Sequence, residues 1–225
     1  MKEKGKLFGV GVGPGDPELL TVKALRLIRA CDLVAIPQRD PARCVALRIA
    51  AGAAPEVLTK PLLALDMPMT RDKGVREEAC AAAAKRLTAA LGSGQTVVFL
   101  TLGDPTIYST YGYLHRRVME AGFEAAFVPG VPSFCAAAAA LGVPLVEDGE
   151  ALHILPGGAE EDVPGARVFL KGGTAAVKQV LQDHDGPVFG AANVGMEGQR
   201  LYRSIQEIPE DTGYFTLIIA KEKEL

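Results

Sequence analysis

The 225-residue sequence lacks the clustered side chains by which metal and disulfide sites are usually recognised. Its four cysteines, Cys31, Cys44, Cys80 and Cys135, are widely scattered and form no C-x-x-C pair. We therefore expect each of them to fill core space or to lie on a helix. The three histidines also stand alone, without a spacing such as H-E-x-x-H. The sequence predicts no metal ion held by protein side chains.

Charge of one sign and long apolar runs are missing as well. The chain has 24 lysines and arginines against 27 aspartates and glutamates, and no basic stripe interleaved with aromatic residues. This balance argues against a nucleic-acid partner. No apolar run approaches the roughly 18 residues of a membrane span, and the charged, glycine-interrupted N-terminus does not resemble a signal peptide. We expect a soluble, cytoplasmic protein with neither a nucleic-acid nor a membrane partner.

The first two thirds of the chain alternate between strand-like runs and helical patterns. Such alternation is typical of an α/β fold with a mostly parallel sheet and helices on its faces. The predicted strands are 7–12, 33–36, 96–100 and 125–128, and the predicted helices are 21–30, 42–51, 76–91, 111–120 and 133–141.

The pattern changes from about residue 151 onwards, where strands dominate. The predicted strands are 152–155, 167–170, 188–192 and 214–220, with one clear helix at 175–181. This change predicts two lobes, an N-terminal α/β lobe over 1–144 and a C-terminal mixed-sheet α/β lobe over 145–225. A boundary as early as residue 120 stays open. Two lobes imply an active-site cleft between them, the usual place for a small ligand.

The segment G-V-G-V-G-P-G-D-P, residues 9–17, looks at first like a dinucleotide-binding turn. That fingerprint needs glycine at relative positions one, three and six. The sixth position is Pro14 when counted from Gly9 and Asp16 when counted from Gly11. No Gly-Lys-Ser/Thr follows, as a phosphate-binding loop of the Walker type would require. On the loop alone, a rigid turn into a helix and a ligand site are both open.

A second candidate segment follows the predicted strand 96–100 and reads Leu102-Gly103-Asp104-Pro105. In open α/β sheets, ligands bind at the carboxyl ends of the strands. Asp104 could accept hydrogen bonds there from ribose hydroxyls or an amine, and Gly103 would let a flat ring approach the backbone. Alternatively, Asp104 only caps the helix that follows.

Two further segments carry weaker signals. A Pro-Gly turn at 129–130 precedes Ser133, which begins an alanine-rich helix whose N-terminus offers free N–H groups. The alanines indicate close packing against the sheet. In the last predicted strand Thr216 stands among apolar residues, and a hydroxyl buried there needs a partner. A backbone carbonyl would suffice.

Taken together and in order, these motifs resemble the tetrapyrrole (corrin/porphyrin) methylases over residues 7–221. The resemblance is carried by Gly-x-Gly-Pro-Gly-Asp-Pro near the N-terminus, Gly-Asp-Pro after a central strand, Pro-Gly-Val-x-Ser before an alanine helix, and a final Tyr-x-Thr-Leu-Ile-Ile. Within the family, L-T-L-G-D-P-T-I-Y-S-T-Y-G-Y-L is most similar to the precorrin-2 and cobalt-factor-II C20-methyltransferases. The run 108–111 is the part that points to them.

The resemblance implies an S-adenosylmethionine-dependent C-methyltransferase that acts at C20 of precorrin-2 or cobalt-factor II in cobalamin biosynthesis. The cofactor it implies is a sulfonium cation without a phosphate, bound folded between the lobes and released as S-adenosylhomocysteine. A tetrapyrrole substrate and a homodimer are also implied. The alternatives are a methylase of another tetrapyrrole position, such as uroporphyrinogen III or precorrin-4, a diphthine synthase, and a binding module or nucleotide-binding oxidoreductase on the same frame.

The resemblance places the cofactor-binding residues in turns and at strand ends in both lobes. Pro132 stands where the family commonly has threonine, so a hydroxyl is missing at that position. The register at Leu170 is open by one residue. By motif, the implied cofactor-binding residues are Pro14, Leu102, Gly103, Asp104, Ile107, Pro132, Ser133, Leu170 and Thr216.

The sequence does not assign a catalytic base. Methyl transfer depends on alignment of the methyl group with the attacking carbon, and a proton must then leave that carbon. Tyr108 and Tyr111 are candidates by their position near the cofactor motif, with aromatic packing as the alternative for one of them. Several basic side chains could bind substrate carboxylates or be ordinary surface charges. These are Arg39, Arg71, Arg76, Arg116 and Lys171.

Overall fold

The computed structural model describes residues 4–70, 72–157, 163–170 and 174–222. The chain divides into two compact units, Met1–Pro132 and Ser133–Leu225. This division places the alanine-rich helix in the second unit, whereas the boundary drawn from the sequence at 144/145 lies after that helix. Among the residues described, none of the helices combines the length and the hydrophobicity that a membrane-spanning segment needs.

The first unit is built on a five-stranded sheet with the strand order β3-β2-β4-β1-β5. Every strand pair in it is parallel, which confirms the predicted parallel sheet. The elements are β1 (Lys6–Gly11), α1 (Val22–Ala30), β2 (Leu33–Ile36), α2 (Val45–Ala53), β3 (Leu62–Ala64), α3 (Lys73–Gly92), β4 (Val97–Thr101), α4 (Tyr111–Glu120) and β5 (Glu124–Val128).

The four helices of this unit cover opposite faces of the sheet in pairs. Helices α1 and α2 pack on one face with Val10 and Val98. Helices α3 and α4 pack on the other face with Leu7 and Phe99, because side chains alternate across a strand. The neighbouring strands β1 and β4 are therefore followed by helices on opposite faces. Ligands of open α/β sheets bind at such a point.

Polar caps set the starts of two helices. The hydroxyl of Thr21 accepts a hydrogen bond from the N–H of Ala24 at 3.1 Å and so caps α1. Helix α3 begins at Lys73, three residues before the predicted start. The reason is Asp72, whose carboxylate accepts a hydrogen bond from the N–H of Gly74 at 2.8 Å.

Two short elements depart from the sequence prediction. Residues Pro41–Arg43 form a 3₁₀ turn capped by Asp40, so α2 begins at Val45 and not at residue 42. The three-residue strand β3 was not predicted. It lies at the edge of the sheet and pairs only with β2, and a strand this short shows no periodicity.

The second unit contains a mixed sheet with the strand order β6-β7-β10-β8-β9. Strands β6 and β7 are parallel, and the other pairs are antiparallel, which confirms the predicted mixed-sheet lobe. The last strand begins at residue 216 and not at 214. The elements are α5 (Ser133–Leu141), β6 (Leu152–Pro156), β7 (Ala166–Leu170), α6 (Thr174–Val180), β8 (Val188–Ala192), β9 (Arg200–Tyr202) and β10 (Thr216–Ala220).

The cysteines occupy the places expected from their scatter. Cys31, Cys44 and Cys80 are buried in the cores of the first unit, and Cys80 lies on α3. Cys135 is exposed on α5, and all four thiols are free. This confirms their assignment to core and helix positions.

Candidate functional site

The turns that follow β1 and β4 are joined at the carboxyl edge of the first sheet. The N–H of Gly103 donates a hydrogen bond to the carbonyl oxygen of Gly13 at 2.8 Å, and the N–H of Gly13 donates to the oxygen of Gly103 at 3.3 Å. Because β1 lies between β4 and β5, the turn after β5 borders the same place. From this edge, the helices that follow β1 and β4 pass to opposite faces of the sheet.

Three glycines allow these turns to meet. A Cβ atom at Gly11 would lie 2.5 Å from the carbonyl oxygen of Gly103, and a Cβ at Gly130 would overlap that same oxygen. Neither position accepts a side chain unless the backbone moves. Gly103 has a φ of 66°, in the left-handed region that favours glycine. Gly11, one of the glycines that resemble a phosphate loop in sequence, thus serves close packing of backbone on backbone.

Asp104 ties the turn after β4 to the turn after β5. The side chain is only 8% exposed, and its Oδ2 accepts a hydrogen bond from the N–H of Gly130 at 3.0 Å. Its Oδ1 accepts from the N–H and the hydroxyl of Thr106 at 2.7 and 2.5 Å. Helix α4 starts at Tyr111 with Thr110 as its cap, so Asp104 does not cap it. Both carboxylate oxygens accept hydrogen bonds within the protein, so Asp104 positions the two turns, and its contact with a cofactor stays a prediction.

The turn after β4 leaves open space on one side. A Cβ atom at Gly103 would meet no other atom within 4 Å. Leu102 and Ile107 beside it are partly buried, whereas Pro14 in the first turn is buried. The structure therefore brings the predicted residues of the β4 turn and the turn of Pro14 to one edge.

The predicted residues of the second unit share an edge of their own sheet. Leu170 is the last residue of β7, and Thr216 is the first residue of the neighbouring β10. Leu170 pairs with Leu217, the residue that follows Thr216. The hydroxyl of Thr216 donates to the carbonyl oxygen of Thr212 at 2.8 Å, which is the backbone partner expected of a buried hydroxyl. Pro132 and Ser133 lie on either side of the division between the units and are partly exposed.

The two tyrosine candidates differ sharply in environment. Tyr111 is fully buried, its hydroxyl donates to the carbonyl oxygen of Ala126 at 2.8 Å, and its ring fills the space that a Cβ at Gly9 would need. Burial raises the pKa of the Tyr111 phenol well above its ordinary value. Tyr111 is therefore a packing residue and is removed as a proton acceptor. Tyr108 is half-exposed, with a φ of 46°, and stays a candidate.

The basic residues expected to meet substrate carboxylates do not form one cluster. Arg39 is exposed in the loop after β2, and Arg116 is exposed on α4. The guanidinium carbon of Arg76 lies 5.4 Å from the ring centre of Tyr113, so a cation–π contact engages it. Outside the described residues lie Arg71 and Lys171.

Two histidines of the second unit are held by backbone oxygens. Nε2 of His153 lies 2.9 Å from the oxygen of Pro164, and Nε2 of His184 lies 2.8 Å from the oxygen of Lys221. Across the ranges that the structure describes, no three histidine, cysteine or acidic side chains are grouped to hold a metal ion.

The contact between Asp104 and Gly130 was missed by the sequence analysis. The sequence did carry a signal for this contact. Gly11 is the last residue of β1, Gly103 stands two residues after the end of β4, and Gly130 stands two residues after the end of β5. Glycines repeated at the carboxyl ends of adjacent parallel strands indicate turns that pack on each other.

A model of the family described as Tetrapyrrole (Corrin/Porphyrin) Methylases matches residues 6–209. The chain belongs to the tetrapyrrole methylases. The matched region includes the three turns of the first unit and ends before Thr216.

Several curated tetrapyrrole methylases are similar to the chain. It is 41% identical over 166 residues to the cobalamin biosynthesis protein CobIJ of Mycobacterium tuberculosis, a match covering 70% of this chain and 32% of that protein. It is 37% identical over 156 residues to the probable cobalt-precorrin-2 C(20)-methyltransferase of Methanocaldococcus jannaschii, covering 69% and 65%. It is 32% identical over 183 residues to the cobalt-precorrin-2 C(20)-methyltransferase of Salmonella typhimurium, covering 80% and 70%. The match thus spans about a third of the mycobacterial relative.

Solved structures of tetrapyrrole methylases share the fold. A uroporphyrin-III-C-methyltransferase from Thermus thermophilus has a TM-score of 0.71 at 26% identity and covers 97% of this chain and 92% of its own. A uroporphyrin-III C-methyl transferase from the same organism, complexed with S-adenyl homocysteine, has a TM-score of 0.68 at 24% identity and covers 97% and 98%. The tetrapyrrole methylase fold therefore spans nearly the whole chain.

Proposed function

We propose that this chain is an S-adenosylmethionine-dependent C-methyltransferase that methylates C20 of precorrin-2 or cobalt-factor II in cobalamin biosynthesis. The observation that carries the proposal is the turn after β4. Residues 100–114 are the run most similar to the C20 enzymes. They include Gly103, which has open space beside it, and Asp104, whose carboxylate accepts a hydrogen bond from the N–H of Gly130. Two relatives named as C20-methyltransferases are 32% and 37% identical to the chain.

The residues at this edge fit S-adenosylmethionine. A phosphate would need an array of backbone N–H groups, and the turn at Pro14 lacks one of them because proline has no N–H. A sulfonium cofactor carries no phosphate and does not need such an array. The open side of Gly103 leaves room for a ligand at the backbone of this turn, which also carries the partly buried apolar residues Leu102 and Ile107. In the second unit, Leu170 and Thr216 are proposed as cofactor-binding residues by the resemblance to the family. When bound, the cofactor supplies an activated methyl group and leaves as S-adenosylhomocysteine.

The chain's own contribution is alignment of the substrate carbon and exclusion of water. A tetrapyrrole substrate is itself the nucleophile, so the protein needs no activated side chain to attack. Tyr108 is the half-exposed tyrosine of this turn, and we propose it as a relay whose phenol oxygen accepts the departing proton while its own proton passes to water. Arg39 and Arg116 are proposed as partners of substrate carboxylates, since a guanidinium pairs with a carboxylate through two N–H groups.

A second candidate is methylation of another position of the macrocycle, as in uroporphyrinogen III. The structural neighbour named uroporphyrin-III-C-methyltransferase is 26% identical over 97% of the chain. This structural match covers a larger share of the chain than the sequence matches to the C20 relatives do.

The deciding experiment is methylation of purified precorrin-2 by the full chain with S-adenosylmethionine, with and without cobalt in the macrocycle. NMR of the product should locate one new methyl group at C20. A methyl group at another carbon would contradict the C20 assignment and favour the second candidate. No transfer to any tetrapyrrole, together with no binding of S-adenosylhomocysteine in calorimetry, would contradict a methyltransferase. NAD is the control ligand, and its binding would favour an oxidoreductase.

The proposal includes a homodimer located in the cytoplasm, both by analogy with the family. Sedimentation velocity should show one species with twice the mass of the chain. A monomer over the whole concentration range would contradict the dimer.

A further inference from the structure

The second unit has a cavity of about 370 Å³ beside the end of β8, where no residue was assigned from the sequence. This volume is sufficient for a small ligand or for one arm of a larger one. Its walls come from the end of β8, from β9 and from the loop before β10. The polar side chains that line it are those of Asn193, Arg200, Tyr202, Asp211 and Thr212.

Hydrogen bonds to backbone oxygens hold the walls of this cavity. The N–H of Asn193 donates to the carbonyl oxygen of Phe215 at 2.9 Å, and the hydroxyl of Thr216 donates to the oxygen of Thr212 at 2.8 Å. The N–H of Met196 donates to the oxygen of Asn193 at 2.9 Å and closes the turn after β8. These bonds hold the turn after β8 and the loop before β10 in place.

Arg200 gives the cavity its positive charge. The side chain is exposed on β9 and takes part in none of the ion pairs found among the described residues. A guanidinium binds a carboxylate through two parallel N–H groups, and the amide of Asn193 and the phenol of Tyr202 are neutral donors that can complete such a site. The ring of Tyr202 packs against the core of the second unit, which fixes its position.

The carboxylate of Asp211, which also lines the cavity, repels an anion bound there. Its Oδ1 accepts a hydrogen bond from the N–H of Gly213 at 3.3 Å, and the residue is exposed. Solvent screens its charge in part. Because Arg200 and Asp211 have opposite effects on an anion, substitutions at the two positions should change affinity in opposite directions.

We propose that this cavity binds a carboxylate group of the acetate or propionate class that a tetrapyrrole carries at its rim, with Arg200 as its main partner. The inference rests on the proposed function, because a polycarboxylate substrate is the ligand that brings such a group. Its position agrees with that role, since Ala192 at the end of β8 pairs in register with Thr216, a predicted cofactor residue.

The direct test is a titration of the ¹⁵N-labelled full chain with propionate, followed by NMR. We expect shifts at the residues that line the cavity, and loss of these shifts in Arg200→Gln. Asp211→Asn should tighten binding about threefold, because a screened repulsion of this kind contributes less than a direct ion pair. Arg203→Gln is the matched control, since Arg203 is also exposed but does not line the cavity. Shifts elsewhere, or shifts unchanged by Arg200→Gln, would overturn the proposal.

The kinetic test uses the tetrapyrrole itself. Arg200→Gln should raise KM about tenfold, the effect of losing one charge-assisted hydrogen bond, with kcat and the Kd of S-adenosylhomocysteine unchanged. A lower kcat at unchanged KM would overturn the assignment. If the unaltered chain methylates no tetrapyrrole, the proposed function fails, and the propionate titration decides separately whether the cavity is a carboxylate site.

Discussion

The edges at which we propose ligand binding differ between the two units, because main-chain atoms form one and side chains line the other. In the first unit, main-chain atoms of Gly11, Gly13, Gly103 and Gly130 pack directly on one another, and one buried carboxylate fastens them. In the second unit, the cavity beside β8 is lined by charged and polar side chains. The first edge should therefore be sensitive to added volume, and the second to altered charge.

This difference follows from the two sheets. Parallel strands with helices on both faces end at a common edge, where successive turns have little room except for glycine. An antiparallel pair such as β8 and β9 reverses in a turn that stands out from the sheet. Its side chains then have room to line a cavity.

Gly130→Ala should have the largest effect. The new Cβ overlaps the carbonyl oxygen of Gly103, and a backbone atom cannot move aside as a flexible side chain can. We expect the free energy of unfolding to fall by about 3 kcal/mol, the upper part of the range for overpacking. Binding of S-adenosylhomocysteine should be lost with it.

The matched control for that substitution is Gly112→Ala on α4. A Cβ there meets no atom within 4 Å, and alanine is the better helix former by up to about 1 kcal/mol. Urea unfolding should show a small gain in stability. If both substitutions had the same effect, the turns of the first unit would not be close-packed.

Asp104→Ala should come second, with a loss of about 2 kcal/mol in the free energy of unfolding, because the N–H of Gly130 loses a charged acceptor. Asp104→Asn should lose about 1 kcal/mol, since its amide oxygen can replace only one of the two acceptor atoms. Thr106→Val is the control that removes a single hydroxyl bond to the carboxylate. A lower affinity for S-adenosylhomocysteine without lower stability would make Asp104 a ligand contact and contradict the positioning role.

Tyr111→Phe should have the smallest effect, a loss of about 1 kcal/mol at neutral pH from the hydrogen bond to Ala126, with kcat unchanged. The raised pKa adds a pH dependence. The unfolded chain releases the phenol proton near pH 10, at about the unperturbed pKa, while the folded chain keeps it. The unaltered chain should therefore lose stability as the pH rises above about 10, and the stabilities of the two proteins should converge. A constant difference in urea unfolding from neutral to alkaline pH would contradict this.

Much of the fold was predictable because local signals agreed with one another. Thr21 marks the start of α1, and the apolar runs 33–36 and 96–100 mark buried strands of a parallel sheet. The three-residue strands β3 and β9 were not predictable, since their formation depends on a partner strand and not on their own sequence. Asp40 and Asp72 shifted two helix starts through capping bonds that periodicity does not show.

The candidate site was predictable in its location but not in its contacts. The resemblance assigned Pro14 and Asp104 to one cofactor site, and the structure joins the turns that carry them. The bond from Asp104 to Gly130 spans 26 positions and depends on β1 lying between β4 and β5. The glycines at the strand ends indicate packed turns, but they do not show which side chain joins them. The same holds for the ring of Tyr111 on Gly9. Spacing alone did not distinguish a tyrosine of the core from one at the surface.

The paired hydrogen bonds between Gly13 and Gly103 have a consequence for binding entropy. Fixing the backbone of one residue removes conformational entropy equivalent to about 1–2 kcal/mol. In this chain the loss is incurred during folding, so a molecule that settles against Gly103 does not have to immobilise the turn. Calorimetry should therefore find a heat-capacity change that reflects the surface covered, without the additional contribution of a segment that folds on binding.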